Sequence, residues 1–199
     1  SKKLHRSGTE YALKVLKRFS EILNVSKITN LKIIATAVLR EATDTKPFID
    51  EVEKLFKTKI NILSGDEEAE CSAEGVKIGF ENVDGLVADL GGGSLELARV
   101  ENNIVTNKTS LPFGVLRLLN NPIVKKRNLA KYIKKLLREE KWLSKKRFNN
   151  LYLVGGTWRS LFKLHLFQNN HPVHIIHQYS IDNNVLSKFV EKISSFNKS

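Results

Sequence analysis

The stretch from Leu86 to Glu96, LVADLGGGSLE, limits the folds open to this chain more than any other. An apolar run leads into Asp89, three consecutive glycines follow, and Ser94 and Glu96 open a second strand-like run, LELARV, that ends at Val100. That order is strand, glycine turn, returning strand. Without Cβ atoms, Gly91, Gly92 and Gly93 can turn several backbone N–H groups toward one point, the concave nest that holds a phosphate group. Asp89, at the strand end, can hold Mg²⁺ or a water beside that phosphate. A glycine-rich hairpin without a ligand accounts for the same residues equally well. Two other phosphate loops are excluded. A Walker A loop needs a Lys and a helix start after its last glycine, and a dinucleotide fingerprint needs a helix where this chain alternates with strand period.

Three further apolar strands end in polar or small residues where a helix begins. LKIIAT runs into Ala37 to Ala42 and brings Thr36, Arg40 and Glu41 behind the strand end. The planar fork of Arg40 suits phosphate oxygens, although a lone helical Arg is more often a surface ion-pair partner. INIL runs into Ser64, Gly65, Asp66, Glu67, Glu68, Ala69 and Glu70, an acidic helix start. NLYLV runs into Gly155, Gly156 and Thr157 and the helical WRSLFKLHLF, a glycine turn that aims a helix N-terminus outward.

Together these segments resemble the exopolyphosphatase and guanosine pentaphosphate phosphohydrolase (Ppx/GppA) family, a branch of the actin-like phosphotransferase superfamily. The matching segments are ATAVLREA at 35–42, ILSGDEEAE at 62–70, VADLGGGSLEL at 87–97, SLPFGVLRL at 110–118 and VGGT at 154–157, in the family's order. The resemblance implies an α/β, actin-like (ribonuclease H-like) two-lobed fold with mixed sheets. It implies Glu67 as catalytic base and Asp89 and Glu96 as metal- and water-positioning acids with Mg²⁺. Gly91, Gly92, Gly93 and Ser94 would form a phosphate loop, Arg40 would contact phosphate, and Gly155, Gly156 and Thr157 would be a second phosphate-binding turn. The implied substrate is polyphosphate or guanosine pentaphosphate. Two alternatives stand beside the hydrolase: a catalytically inactive remnant that binds polyanions, and an actin-like kinase sharing the glycine hairpin. SGDEEAE argues against the kinase.

The chain departs from the family pattern at both ends. No D-x-G-S-N type loop precedes Ser1, and the pattern continues beyond the last residues. The chain contains no Met, so it is expected to be a piece of a longer pattern, truncated at both ends. With one of two phosphate loops missing, the chain alone is expected to hydrolyse phosphoanhydrides poorly or not at all. Residues 1–109 are expected to form a truncated first lobe carrying the catalytic segment and glycine hairpin, and 110–199 an incomplete second lobe, with a hinge at Leu111 to Gly114. Strands that lack neighbours leave an unpaired sheet edge, so a homodimer or other association is expected.

Glu67 also has a structural reading. Ser64 followed three residues later by Glu67 is a capping box, and acids in a first helical turn are favoured by the helix dipole. A base acting on water gains from a pKa raised by burial in a cleft beside other acids, and that burial is expected of Glu67.

Lys and Arg exceed Asp and Glu, giving a net charge of +12, and the excess gathers between Lys125 and Arg147. Leu129, Ile133, Leu136 and Leu137 fall on one face of that stretch, so it reads as an amphipathic basic helix. Its outer face is either plain solvated surface or a track for polyphosphate or phosphorylated nucleotides. No stacking aromatic array accompanies it, which argues against a nucleic-acid reader. The single Cys71 cannot form an internal disulfide and reads as a small packing residue. No apolar run approaches membrane-spanning length, so the expectation is a cytoplasmic protein without a membrane partner. His171, His174 and His177 read as surface or strand positions, not as a zinc site.

Overall fold

The computed structural model describes residues 3–119, 129–144, 147–173 and 175–196. Of the sequence expectations above, Lys125 to Arg127 and Lys145 and Lys146 of the basic stretch, together with His174, lie outside the described residues.

The chain opens with helix α1 (Arg6–Val25) and then builds a two-stranded parallel sheet from β1 (Ile33–Ala35) and β2 (Ile60–Ile62). Helices α2 (Ala37–Glu41) and α3 (Lys46–Phe56) lie between these strands. Pro47 sits in the first turn of α3, where its missing N–H costs nothing, and Lys57 ends the helix in the left-handed conformation. Helix α4 (Gly65–Gly79) leads to a four-stranded sheet.

That sheet holds β3 (Gly85–Leu90), β4 (Leu95–Glu101), β5 (Ile104–Leu111) and β6 (Leu151–Val154) in the spatial order β5-β4-β3-β6. The first three strands form an antiparallel meander, and β6 joins β3 in parallel, so the sheet is mixed. Asn102 and Asn103, both at positive φ, make the two-residue turn between β4 and β5, the mirror-image turn that matches strand twist. Between β5 and β6 lie α5 (Val115–Leu119), α6 (Leu129–Glu139) and α7 (Lys141–Ser144). Helices α8 (Gly156–Gln168) and α9 (Asn183–Phe196) complete the described chain.

Both faces of the meander are covered, which is why β4 is buried almost throughout. On one face Ala69 and Ala73 of α4 pack against Val83, Val87, Ala98 and Val100, and the small side chains let helix and sheet approach closely. On the other face Tyr132, Ile133, Leu136 and Leu137 of α6 pack over Ala88, Leu95, Leu97, Leu111 and Phe113. The amphipathic helix expected from the sequence is thus a core-covering helix, with Lys131, Lys134, Lys135 and Arg138 turned to solvent.

One expectation is corrected here, that for Cys71. The expected 109/110 border falls within β5, which runs on to Leu111, and β6 pairs with β3. Cys71 is exposed on α4 and packs nothing, because residues 69 and 73 own the buried face. In the described part of the His171 to His177 segment, which forms no strand, His177 is exposed as a surface position and His171 bonds the backbone of Val173.

Candidate functional site

The glycine segment is a tight hairpin closed by the Gly91 N–H donating to the Ser94 carbonyl at 3.0 Å. Its outer carbonyls are spoken for by α5. The N–H groups of Val115 and Leu116 donate to Gly91 O and Gly92 O at 3.1 and 3.0 Å, and Arg117 N–H shares Gly92 O at 3.2 Å. The described peptide bonds contain no cis bond, and a trans peptide sets its C=O and N–H in opposite directions. The amides of Gly92 and Gly93 therefore point away from α5. None of the three has a left-handed φ, and an added Cβ would meet Ser94 O at 3.5 Å from Gly91, Leu116 Cδ1 at 3.2 Å from Gly92 and Ala37 Cβ at 3.2 Å from Gly93, so the tight approach lies at Gly114. A Cβ on Gly114 would stand 2.4 Å from the Gly92 carbonyl carbon.

Asp89 and Glu96 are register partners across β3 and β4, so both carboxylates lie on the α4 face of the sheet. Ser72 Oγ of α4 donates to Asp89 Oδ2 at 2.6 Å. Ser110 Oγ, on the strand next to Glu96, donates to Glu96 Oε1 at 2.8 Å. Glu96 is buried, only 2% exposed. Burial raises its pKa above the ordinary value, the hydroxyls of Ser94 and Ser110 pull it down, and the charges of Glu68 and Asp89 push it up again. The result is a cluster of acids around one desolvated carboxyl.

Arg40 and Glu68 bring the first part of the chain to this cluster. Arg40 Nη1 donates to Leu63 O at 2.8 Å and to Glu68 Oε2 at 3.0 Å, and both side chains are largely shielded. Arg117 of α5 pairs with Glu41 of α2 beside it. Gly155, at φ 108°, stands next to Asp89; a Cβ there would lie 2.9 Å from Asp89 Oδ1. Gly156 has open space around it, and Thr157 is exposed at the start of α8. A cleft of about 300 Å³ opens among Arg40, Glu41, Gly65, Asp66, Ser94, Thr109, Ser110 and Pro112.

Glu67 departs from the environment expected of it. Its carboxylate accepts from Ser64 N–H at 2.7 Å while its own N–H donates to Ser64 Oγ at 3.2 Å, a complete capping box. The side chain is exposed, and the backbone bond from Ser64 holds its pKa below the ordinary value. Burial, the expected cause of a raised pKa, is absent because the first turn of α4 turns residue 67 to solvent and residue 68 inward. Glu68, Ser72 and Ser110 were missed by sequence reasoning. The signal for the first two is their i, i+4 spacing on the face of α4 that carries Ala69 and Ala73. Among the described residues no group of three His, Cys, Asp or Glu could hold a metal by itself. The Asp89 and Glu96 pair nonetheless suits Mg²⁺, which keeps several waters and takes one or two carboxylates plus substrate phosphates.

The layered mixed sheet with its glycine hairpin is an α/β fold that superposes on a solved exopolyphosphatase from Cytophaga hutchinsonii with a TM-score of 0.77 at 23% identity, over 86% of this chain and 58% of that one. The family model described as the Ppx/GppA phosphatase family matches residues 1–199. The chain belongs to that family. A guanosine-5'-triphosphate,3'-diphosphate pyrophosphatase of Aeromonas hydrophila is 36% identical over 120 residues, 60% of this chain and 24% of the relative. A bifunctional 3-dehydroquinate synthase/phosphatase of Fusobacterium nucleatum is 30% identical over 98% of this chain and 32% of the relative. The chain thus spans about a quarter to a third of these curated relatives.

Proposed function

We propose that this chain serves a phosphoanhydride hydrolase that removes a terminal phosphate from polyphosphate or guanosine pentaphosphate by attack of water. The observation that carries this reading is the meeting of the Asp89 and Glu96 pair, the glycine hairpin, and the Arg40–Glu68 pair around one side of the sheet. The relatives named for phosphatase and pyrophosphatase activity support it.

Phosphoryl transfer asks for placement of water and neutralisation of phosphoryl oxygens more than for covalent chemistry. The outward amides of Gly92 and Gly93 offer donors to those oxygens, with Arg40 at the cleft wall, while the Ser94 hydroxyl is committed to Glu96. Gly155 keeps the space beside Asp89 clear, and Gly156 and Thr157 extend that open side at the start of α8. Asp89 and Glu96 are the residues that would hold Mg²⁺, which when bound supplies positive charge against the phosphoryl group. The base role moves from Glu67 to Glu68. Glu68 is shielded, faces the Glu96 charge and is held by Arg40, whereas Glu67 is committed to its cap.

The α1–α3 portion with β1 and β2 would be one lobe and the four-stranded sheet with its helices the other, the cleft lying between them. The exposed Ile34 on the two-stranded sheet supports association with further polypeptide. No described helix is long and apolar enough to cross a membrane, and a free Cys71 suits a reducing, cytoplasmic setting.

Substitution separates the two glutamates. In phosphate-release assays, Glu68→Gln should lower kcat by about 10²–10⁴, the usual loss for a general base, while Glu67→Gln stays within a few-fold. The reverse ranking would return the base role to Glu67.

A further inference from the structure

We propose that Ser72 and Ser110 are positioning residues for the acid pair, each hydroxyl fixing the direction of one carboxylate; this rests on the hydrolase reading above. The two serines come from different elements, α4 and β5, and reach the two acids at 2.6 and 2.8 Å. A serine inside a helix ordinarily turns its hydroxyl back to the carbonyl one turn earlier. Ser72 instead donates across to Asp89 on β3, seventeen residues away in the chain. The opposite oxygen of Asp89 faces Gly155, whose missing Cβ leaves that oxygen uncrowded, so the carboxylate is fixed on one side by Ser72 and bordered on the other by a glycine.

Ser110 is held as closely. A Cβ at Gly65 would stand 2.3 Å from Ser110 Cβ, so the start of α4 lies directly against the serine and restricts where its hydroxyl can swing. Ser110 also lines the cleft, whereas Glu96 lies behind it and is 2% exposed. The hydroxyl therefore couples the cleft wall to the acid it does not itself expose. Groups that orient metal- or water-holding carboxylates in this way are usually worth roughly 10–100-fold in activity or metal affinity.

The test pairs phosphate release from tripolyphosphate with Mn²⁺ titration calorimetry on the 199-residue chain. Ser72→Ala removes the donor at a helical site where Ala is the better helix former, and Ser72→Cys keeps the shape with only a weak donor. Both should lower kcat roughly 10–100-fold with KM unchanged and the thermal midpoint preserved, and both should weaken Mn²⁺ binding. Ser72→Thr, which keeps the hydroxyl, should restore both properties, and Ser110→Ala should match Ser72→Ala. Should the alanine variant not fold, the cysteine and threonine pair still decides. Wild-type behaviour of Ser72→Cys, or equal damage in Ser72→Thr, overturns the proposal. If the wild-type chain releases no phosphate, as expected of a chain with one phosphate loop missing, the Mn²⁺ comparison alone decides. Equal Mn²⁺ affinity in every form, absence of binding included, then overturns the serine roles.

Discussion

Glu96 and Glu67 sit in opposite electrostatic settings, and stability should follow each in an opposite direction with pH. For Glu96 the folded-state pKa is raised by burial, so its contribution to stability is full below the unfolded value and is lost as pH rises through the folded one. For Glu67 the folded-state pKa is lowered by the Ser64 backbone bond, so its contribution is present above the unfolded value and is lost as pH falls through the folded one. Glu96→Gln should therefore raise the urea midpoint at neutral pH more than at about pH 4, near the unfolded carboxylate value. Glu67→Gln should lower the midpoint at neutral pH, with the difference from wild type shrinking in acid. Urea titrations at the two pH values check both signs, and a Glu96→Gln variant no more stable than wild type at neutral pH would refute the account of its burial. Both glutamates were legible in the sequence as candidates. Their ionisation was not, because it depends on which face of α4 or β4 each occupies and on what lies across from it.

At the scale of elements, the hairpin and α5 act as one unit: three helix-start amides close on two glycine carbonyls, and Gly114 makes the approach. Gly114→Ala should force the two apart, costing about 1–3 kcal/mol in denaturant unfolding as overpacking usually does, and weakening orthophosphate binding by the same protein. A variant of wild-type stability would show that the contact is slack. The strand, glycine turn and returning strand were readable from alternation and composition. The role of SLPFGVLRL was not readable, because it appears only when Val115 to Arg117 are seen donating to residues more than twenty positions earlier. Conversely, the basic stretch read as an amphipathic helix is one over Leu129–Glu139, and what its apolar face covers appeared only when Tyr132, Ile133, Leu136 and Leu137 met the sheet.

For the molecule as a whole, the net charge of +12 and the solvent-facing Lys131, Lys134, Lys135 and Arg138 favour long polyanions by counterion release. Raising salt from about 50 mM to about 200 mM should weaken binding of long-chain polyphosphate by roughly tenfold or more and that of orthophosphate far less. Fluorescence or calorimetric titrations measure the difference, and equal salt slopes for the two ligands would discount the basic surface. The sequence by itself determined the elements and the chemistry available: strand periods, helix caps, a glycine turn and acids at strand ends are local properties that neighbouring residues impose. Only the tertiary structure decided which acids share a desolvated pocket, which of Glu67 and Glu68 turns inward, and that β6 closes the sheet across the expected lobe border. These outcomes depend on contacts between residues far apart in the chain, where burial and charge are set jointly and no local pattern records them.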